Sequence, residues 1–378
     1  MSTACDAGPI RLLADDLTGA LDSAAAFGAD VPVHLARPPT EGTAAPVEVV
    51  ATASRDEPTD TLPALLAPSL DWLRGAALAF KKVDSLLRGN TLAEVAWLVG
   101  AGGFRRVVFA PAFPAQGRFL IGGRLAVGPA AAGVAGAEPR GPLLAPLLRQ
   151  ALPASCTLEL PEIHGDADLD RLLTALTPDT LWCGSAGLAV ALVRRLQRPA
   201  SPAPALPPCD TPWVIGASHQ PVTRRQWQQA ATAWPQAQQV RHGDASALAQ
   251  ALAALAAQPA QPALLDLSPL APMGPAEAAG LLQAQAERLA QLPRPARLLV
   301  LGGDTALALA RATGVVSLRT GQPLRPGWGR AQWCGGRWDG LWMEARSGAF
   351  GPDDDLLAAL AQVSEGARTG TARITGHP

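Results

Sequence analysis

Two adjacent carboxylates stand out in Ala14-Asp15-Asp16-Leu17-Thr18-Gly19-Ala20-Leu21-Asp22, which follows the apolar run Ile10–Ala14 and opens a helical pattern reaching Phe27. Asp15, Asp16 and the Thr18 hydroxyl therefore sit where a buried parallel strand delivers its loop to a ligand crevice. Such groups suit sugar hydroxyls, a metal ion, or removal of a proton from an alcohol. Asp16 or Thr18 could instead cap the helix, but a cap does not need both aspartates. A bound dinucleotide is a poor match, because the loop lacks G-x-G-x-x-G and paired acids repel a pyrophosphate at a helix start.

A second group, Lys81-Lys82-Val83-Asp84-Ser85-Leu86-Leu87-Arg88-Gly89-Asn90, follows the apolar run ending at Phe80. Lys81, Lys82 and the bidentate Arg88 suit a substrate carboxylate or a transferring phosphoryl group, with Asp84 balancing charge or acting as base and Ser85 beside it. The same residues also suit a solvated charged turn. Pro111-Ala112-Phe113-Pro114-Ala115-Gln116-Gly117-Arg118 is a stiff strand-end loop in which Arg118 offers an anion fork, or else a structural corner.

In the second half, Leu298–Leu301 runs into Gly302-Gly303-Asp304-Thr305 and a helix expected near Ala306. Two glycines expose amides at a helix start, and Asp304 or Thr305 can cap it or bind a metal-associated phosphate; a plain strand-turn-helix corner is the alternative. Ser218 in Gly216-Ala217-Ser218-His219-Gln220, and Ser347-Gly348-Ala349-Phe350-Gly351 with Arg346 before it, belong to the same expected nucleotide pocket. His219 reads as a loop residue. Gly184-Ser185-Ala186-Gly187 lacks the G-x-S-x-G elbow and reads as a tight strand-to-helix turn.

The elements that must carry these loops follow from the apolar runs. Ile10–Ala14, Val47–Thr52, Ala77–Phe80, Val107–Pro111 and Leu181–Cys183 predict buried strands, each followed by a turn or helical pattern. Trp213–Gly216, Ala263–Leu267 and Leu298–Leu301 predict more, separated by helices at Thr223–Trp234, Ser246–Ala257 and Pro275–Leu292. The fold class is α/β, with two domains each built on a largely parallel sheet flanked by helices. The proline-rich stretch Pro199–Pro212 reads as a linker, giving domains at 1–198 and 213–378. With 31 basic against 32 acidic side chains and no Lys/Arg-dense stretch, nucleic acid is not an expected partner. The five cysteines lack metal or disulfide spacing, which fits a reducing, cytoplasmic setting. No window is apolar enough for a membrane span, and the N-terminus carries no export signal. The Ala-rich helices suit a homodimer interface or a domain core equally.

Taken in order, ADDLTGALD at Ala14–Asp22, KKVDSLLRGN at Lys81–Asn90, APAFPAQGR at Ala110–Arg118, GSAGLA at Gly184–Ala189, GGDTA at Gly302–Ala306 and SGAFG at Ser347–Gly351 resemble the signatures of the four-carbon acid sugar kinases. The resemblance implies a sugar acid in the N-terminal domain, ATP with Mg2+ in the C-terminal domain, and an active-site cleft between them. It assigns Asp15, Asp16, Arg55, Lys81, Asp84, Ser85 and Arg118 to the sugar acid, Arg55 because VVATASR occupies the place of a family strand ending in Arg. Ser218, Gly302–Thr305 and Gly348 would meet ATP. Asp16 is the first choice of base and Asp84 the second. Leu86, Thr52 and Arg346 depart from the family pattern, a difference that bears on substrate choice. Three other readings are a non-catalytic sugar-acid or nucleotide binder of the same fold, a nicotinamide-dependent oxidoreductase, which lacks its glycine fingerprint, and a scaffold or regulatory protein using only the cleft surface, against which the six ordered motifs argue.

Overall fold

The protein is described by a computed structural model covering residues 8–365 other than 41–44, 175, 178, 197–204, 242, 272, 326 and 349–350. The chain divides into two compact units, Met1–Ser201 and Pro202–Pro378. Residues 199–204, the start of the proline-rich stretch, lie outside the described residues, as do Cys5, Ala349 and Phe350.

The first unit is built on β1 (Ile10–Ala14), β2 (Pro32–Leu35), β3 (Val47–Ala51), β4 (Leu78–Lys82), β5 (Arg106–Ala110), β9 (Thr157–Glu159) and β10 (Thr180–Gly184). They lie in the order β2-β3-β1-β4-β10-β5-β9, with every neighbouring pair parallel. β1, β3, β4 and β10 are buried along their whole length, as strands covered on both faces must be. The surrounding helices are α1 (Leu17–Ala26), α2 (Leu62–Leu66), α3 (Leu70–Arg74), α4 (Thr91–Gly102), α5 (Leu144–Ala151), α6 (Asp166–Leu172) and α7 (Ala186–Leu196). A separate antiparallel sheet, β6 (Arg118–Ile121), β7 (Arg124–Val127) and β8 (Glu138–Arg140), follows the proline loop.

In the second unit, β11 (Trp213–Gly216), β12 (Gln238–Val240), β13 (Ala263–Asp266), β14 (Leu298–Leu301), β15 (Ser317–Gly321), β16 (Gly329–Cys334) and β17 (Trp342–Arg346) are ordered β12-β13-β11-β14-β17-β16-β15. Its helices are α8 (Pro221–Ala233), α9 (Ala245–Ala257), α10 (Pro275–Leu289), α11 (Gly303–Thr313) and α12 (Asp355–Glu365). Expected strands and helices are present with shifts of a few residues at their ends. The second unit does not simply repeat the first, however. β16 runs antiparallel to both β17 and β15, where short turns rather than crossover helices join the strands. The described cysteines Cys156, Cys183, Cys209 and Cys334 are free, and no helix among the described residues is long and apolar enough to cross a membrane.

Phe80 is fully buried in the middle of β4. Phe80→Ala should lower the unfolding free energy by about 3–5 kcal/mol in urea denaturation, the usual cost of an aromatic-sized cavity.

Candidate active site

β1 pairs with β3 on one side and β4 on the other, with Ala14 opposite Ala51 and Lys82. The loops carrying Asp15 and Asp16, Arg55, and Asp84 therefore leave the same edge of one sheet. Arg55 joins them. Its Nε and Nη2 donate to the two oxygens of Asp15 at 2.8 and 3.1 Å, and Nη2 also donates to Asp16 Oδ1 at 2.6 Å and lies 3.7 Å from Asp84 Oδ1. Arg55 entered the sequence reading only through family resemblance, and the structure makes it the centre of the cluster.

The three carboxylates differ in what remains available. The Asp15 side chain is 2 % exposed, Asp84 6 % and Asp16 14 %, so Asp16 is the one most open to a ligand. Burial works to raise the Asp15 carboxyl, but Lys81 and Arg55 hold it below the usual carboxylate range. Asp84 is likewise opposed by burial, yet it ends well below that range because Arg88 donates at 3.0 and 2.7 Å, Arg55 adds its charge, and the amides of Leu86 and Arg88 donate at 3.0 and 3.1 Å. A carboxylate so saturated is a weak proton acceptor. Asp16 is the N-cap of α1, accepting from the Gly19 amide at 3.2 Å and from the Thr18 hydroxyl. It therefore does both things the sequence suggested, capping the helix and presenting a carboxylate.

Lys81 and Lys82 are not loop residues. They complete β4 and are both buried, because ladder pairing with β1 and β10 continues past the apolar run. Lys81 Nζ lies 2.5 Å from Glu94 Oε2, a fully buried partner, which takes it out of the set of free cations for a substrate carboxylate. Lys82 Nζ donates to the Val83 carbonyl at 3.0 Å and rests against Gly19, where a Cβ would fall 2.7 Å from it and 2.4 Å from Asp16 Oδ1. Any side chain at position 19 would displace one of these groups. Ser85 is half-buried in the turn after Asp84, and Arg88 is exposed. Gly89 has φ +69, and a Cβ there would stand 2.4 Å from the Arg55 carbonyl oxygen, so this turn needs glycine to lie against the Arg55 loop.

Arg118 opens β6, donates to the Gln116 carbonyl, and leaves its buried Nε without a hydrogen-bond partner. Its charged surroundings are Asp84, Arg140 and Arg88. Arg140, from β8, gave no signal in the sequence. Ser185 is buried and donates to the Ala112 carbonyl at 2.7 Å, so the GSAG segment is a packed turn, as its sequence suggested.

In the second unit β11, β14 and β17 are parallel neighbours, so Ser218, Gly302–Thr305 and Ser347–Gly348 leave one sheet edge together. Gly302, with φ +117, is the N-cap of α11, which starts at Gly303, earlier than expected. Gly303 and Asp304 thus occupy the first turn, and Thr305 is buried beneath it. Gly348 packs against Ser218, where a Cβ would fall 2.5 Å from its Oγ, and the Gly348 carbonyl accepts from Thr223. Gly351, with φ +82, turns the chain against Asp355 before α12. Arg346 is not poised for phosphates. It is buried, stacked 5.4 Å over Trp328, and bound by Gln226 and Asp355. Arg224, which the sequence reading passed over, pairs with Asp266 at 2.5 Å beside Ser218.

No group of three or more His, Cys, Asp or Glu that could hold a metal occurs among the described residues.

Because Asp84 is held ionised, its stabilising contribution is present above the unfolded carboxylate value near 3.9 and is lost as pH falls through the lower folded value. Asp84→Asn should therefore destabilise by about 1–3 kcal/mol at pH 7, with the gap to wild type closing below about pH 4 in denaturation curves.

Residues 10–154 match the sugar-binding N-terminal domain family. The chain is 38% identical over 122 residues to the D-threonate kinase of Cupriavidus necator, covering 30% of this chain and 28% of that enzyme. It is 35% identical over 122 residues to the D-threonate kinase of Salmonella typhimurium, covering 31% and 29%. Both matches thus span less than a third of the curated relatives' length. A crystal structure of a Haemophilus influenzae protein of the DUF1537 family shares the fold, with a TM-score of 0.67 at 17% identity over 94% of this chain and 100% of that one. The match to a sugar-binding N-terminal domain and the partial likeness to two D-threonate kinases thus agree with the resemblance to four-carbon acid sugar kinases read from the sequence motifs.

Proposed function

We propose that the protein is an ATP-dependent kinase that transfers the γ-phosphoryl group of Mg-ATP to a hydroxyl of a four-carbon sugar acid of the threonate, erythronate or 3-oxo-tetronate type. The observation that carries this reading is the Arg55 cluster, which leaves Asp16 as the most accessible of three gathered carboxylates. The names of the two relatives support the substrate class.

In the proposed reaction, the substrate hydroxyl oxygen attacks the γ-phosphorus, the bond to the β,γ-bridging oxygen breaks, and ADP leaves. The hydroxyl proton passes to Asp16, while Asp84 keeps Arg88 and the turn in place instead of accepting it. Arg118, with its unpartnered Nε, and the exposed Arg88 are the candidate clamps for the substrate carboxylate. Asp15, Thr18, Lys82 and Ser85 line the remainder, and Lys81 acts from behind through its charge. Nucleotide phosphates would meet the Gly303 amide at the helix start that Gly302 turns, the Gly302 amide itself donating to the Arg346 carbonyl at 2.9 Å, together with Thr305, Ser218, Ser347 and Gly348, with Asp304 toward the metal and Gly351 shaping the turn. Magnesium bound to the nucleotide would supply neutralising charge at the phosphates.

The test is ADP release by the purified protein with Mg-ATP across four-carbon sugar acids with and without an oxo group. Stimulation by one acid is expected; protein that binds ATP and acid without turnover would be a non-catalytic binder. Asp16→Asn retains a helix cap, since Asn caps as well as Asp, and should lose about a hundredfold or more of turnover with little change in thermal stability. Near-normal turnover in that variant would remove Asp16 from proton transfer.

A further inference from the structure

Behind the Arg55 cluster lies a buried polar chain in which only Lys81 has an expected role. Glu94, on the inner face of α4, is fully buried; its Oε2 pairs with Lys81 at 2.5 Å and its Oε1 accepts from Ser54 Oγ at 2.7 Å. Ser54 Oγ also lies 2.6 Å from Thr52 Oγ1, which reaches the Ala14 carbonyl at 3.0 Å. Proton counting orders this chain. The ionised carboxylate has no proton to give, so Ser54 must donate to Glu94, and the single Thr52 proton serves Ala14 or Ser54.

Between the two anchored hydroxyls, Ala53 has φ 57, a left-handed conformation that a residue with a Cβ adopts only when its surroundings impose it. The next residue is Arg55. The N-cap residue of α4 grips the same loop a second time, as Asn90 Nδ2 donates to the carbonyls of Ser54 and Glu57 at 2.9 and 2.6 Å and the Asn90 amide to the Arg55 carbonyl at 3.1 Å.

We infer that Glu94 is a positioning residue that sets Arg55 through Ser54 and anchors the Lys81 charge behind Asp15, and that sugar-acid binding depends on it. The binding half of this inference rests on the sugar-acid reading above; the positioning half does not. Without the Glu94 charge, Asp15 becomes the carboxylate to which Lys81 is drawn, in competition with Arg55. Loss of Ser54 Oγ frees the strained loop while leaving the ion pair intact.

Two variants of the full chain test this. Ser54→Ala removes one hydrogen bond to a charged group and should raise the sugar-acid KM about tenfold with the ATP KM unchanged. It should also speed amide hydrogen exchange across residues 52–57 and leave residues 298–306 at the wild-type rate. Glu94→Gln should do both more strongly, and combining the two should add little to Glu94→Gln alone. Exchange is read without substrate, so a wild-type protein that turns over no acid would count against the functional reading and leave the positioning test standing. Wild-type exchange at 52–57 in both variants would overturn the inference. So would an equal rise in both KM values with faster exchange in both segments, because that pattern marks general loosening.

Discussion

Arg55 stands among three aspartates that would otherwise repel one another. Unit charges about 4 Å apart interact by about 4 kcal/mol at the effective dielectric near a protein surface, so three carboxylates at one sheet edge need a cation among them. A guanidinium meets that need, because its planar fork can reach Asp15 with two nitrogens while still serving Asp16 and facing Asp84. The arrangement sorts the acids. Asp84 is held by Arg88 and two amides, Asp15 is closed off behind both Arg55 nitrogens, and Asp16, which also accepts from Arg55, Gly19 and Thr18, is the most exposed of the three.

Much of the support for Arg55 is indirect. Gly89 lets the Asp84 turn lie against the Arg55 carbonyl, Asn90 ties the two loops, and Glu94 joins β4 to Ser54 from below. The sheet register brings the three loops to one place, and the polar network fixes them there. A fold that supplied only the register would leave the carboxylates free to spread.

The parallel strands, most helices and the loops that hold Asp15, Asp16, Asp84 and Gly302 were legible because apolar runs and glycine turns are local signals. Where partners are distant in sequence, the reading failed. The apolar run predicts a strand ending at Phe80, because Lys81 and Lys82 look like loop residues, and only their burial against Glu94 and Gly19 shows otherwise. Glu94 did leave a trace, as a lone acid within the apolar helix TLAEVAWLVGAG. Arg346 misled in the opposite sense, since nothing local announces that Trp328, Gln226 and Asp355 enclose it. The antiparallel β15 and β16 are not legible in the sequence because they are partly polar, without the continuous apolar run of a covered strand.

Calorimetric titration of a four-carbon sugar acid into wild type and Arg55→Lys tests most directly whether the Arg55 cluster makes the sugar-acid site. Lysine keeps the charge but cannot fork between Asp15 and Asp16, so the account predicts at least a tenfold loss of sugar-acid affinity, with ATP affinity unchanged. Equal sugar-acid affinity in the two proteins would contradict it.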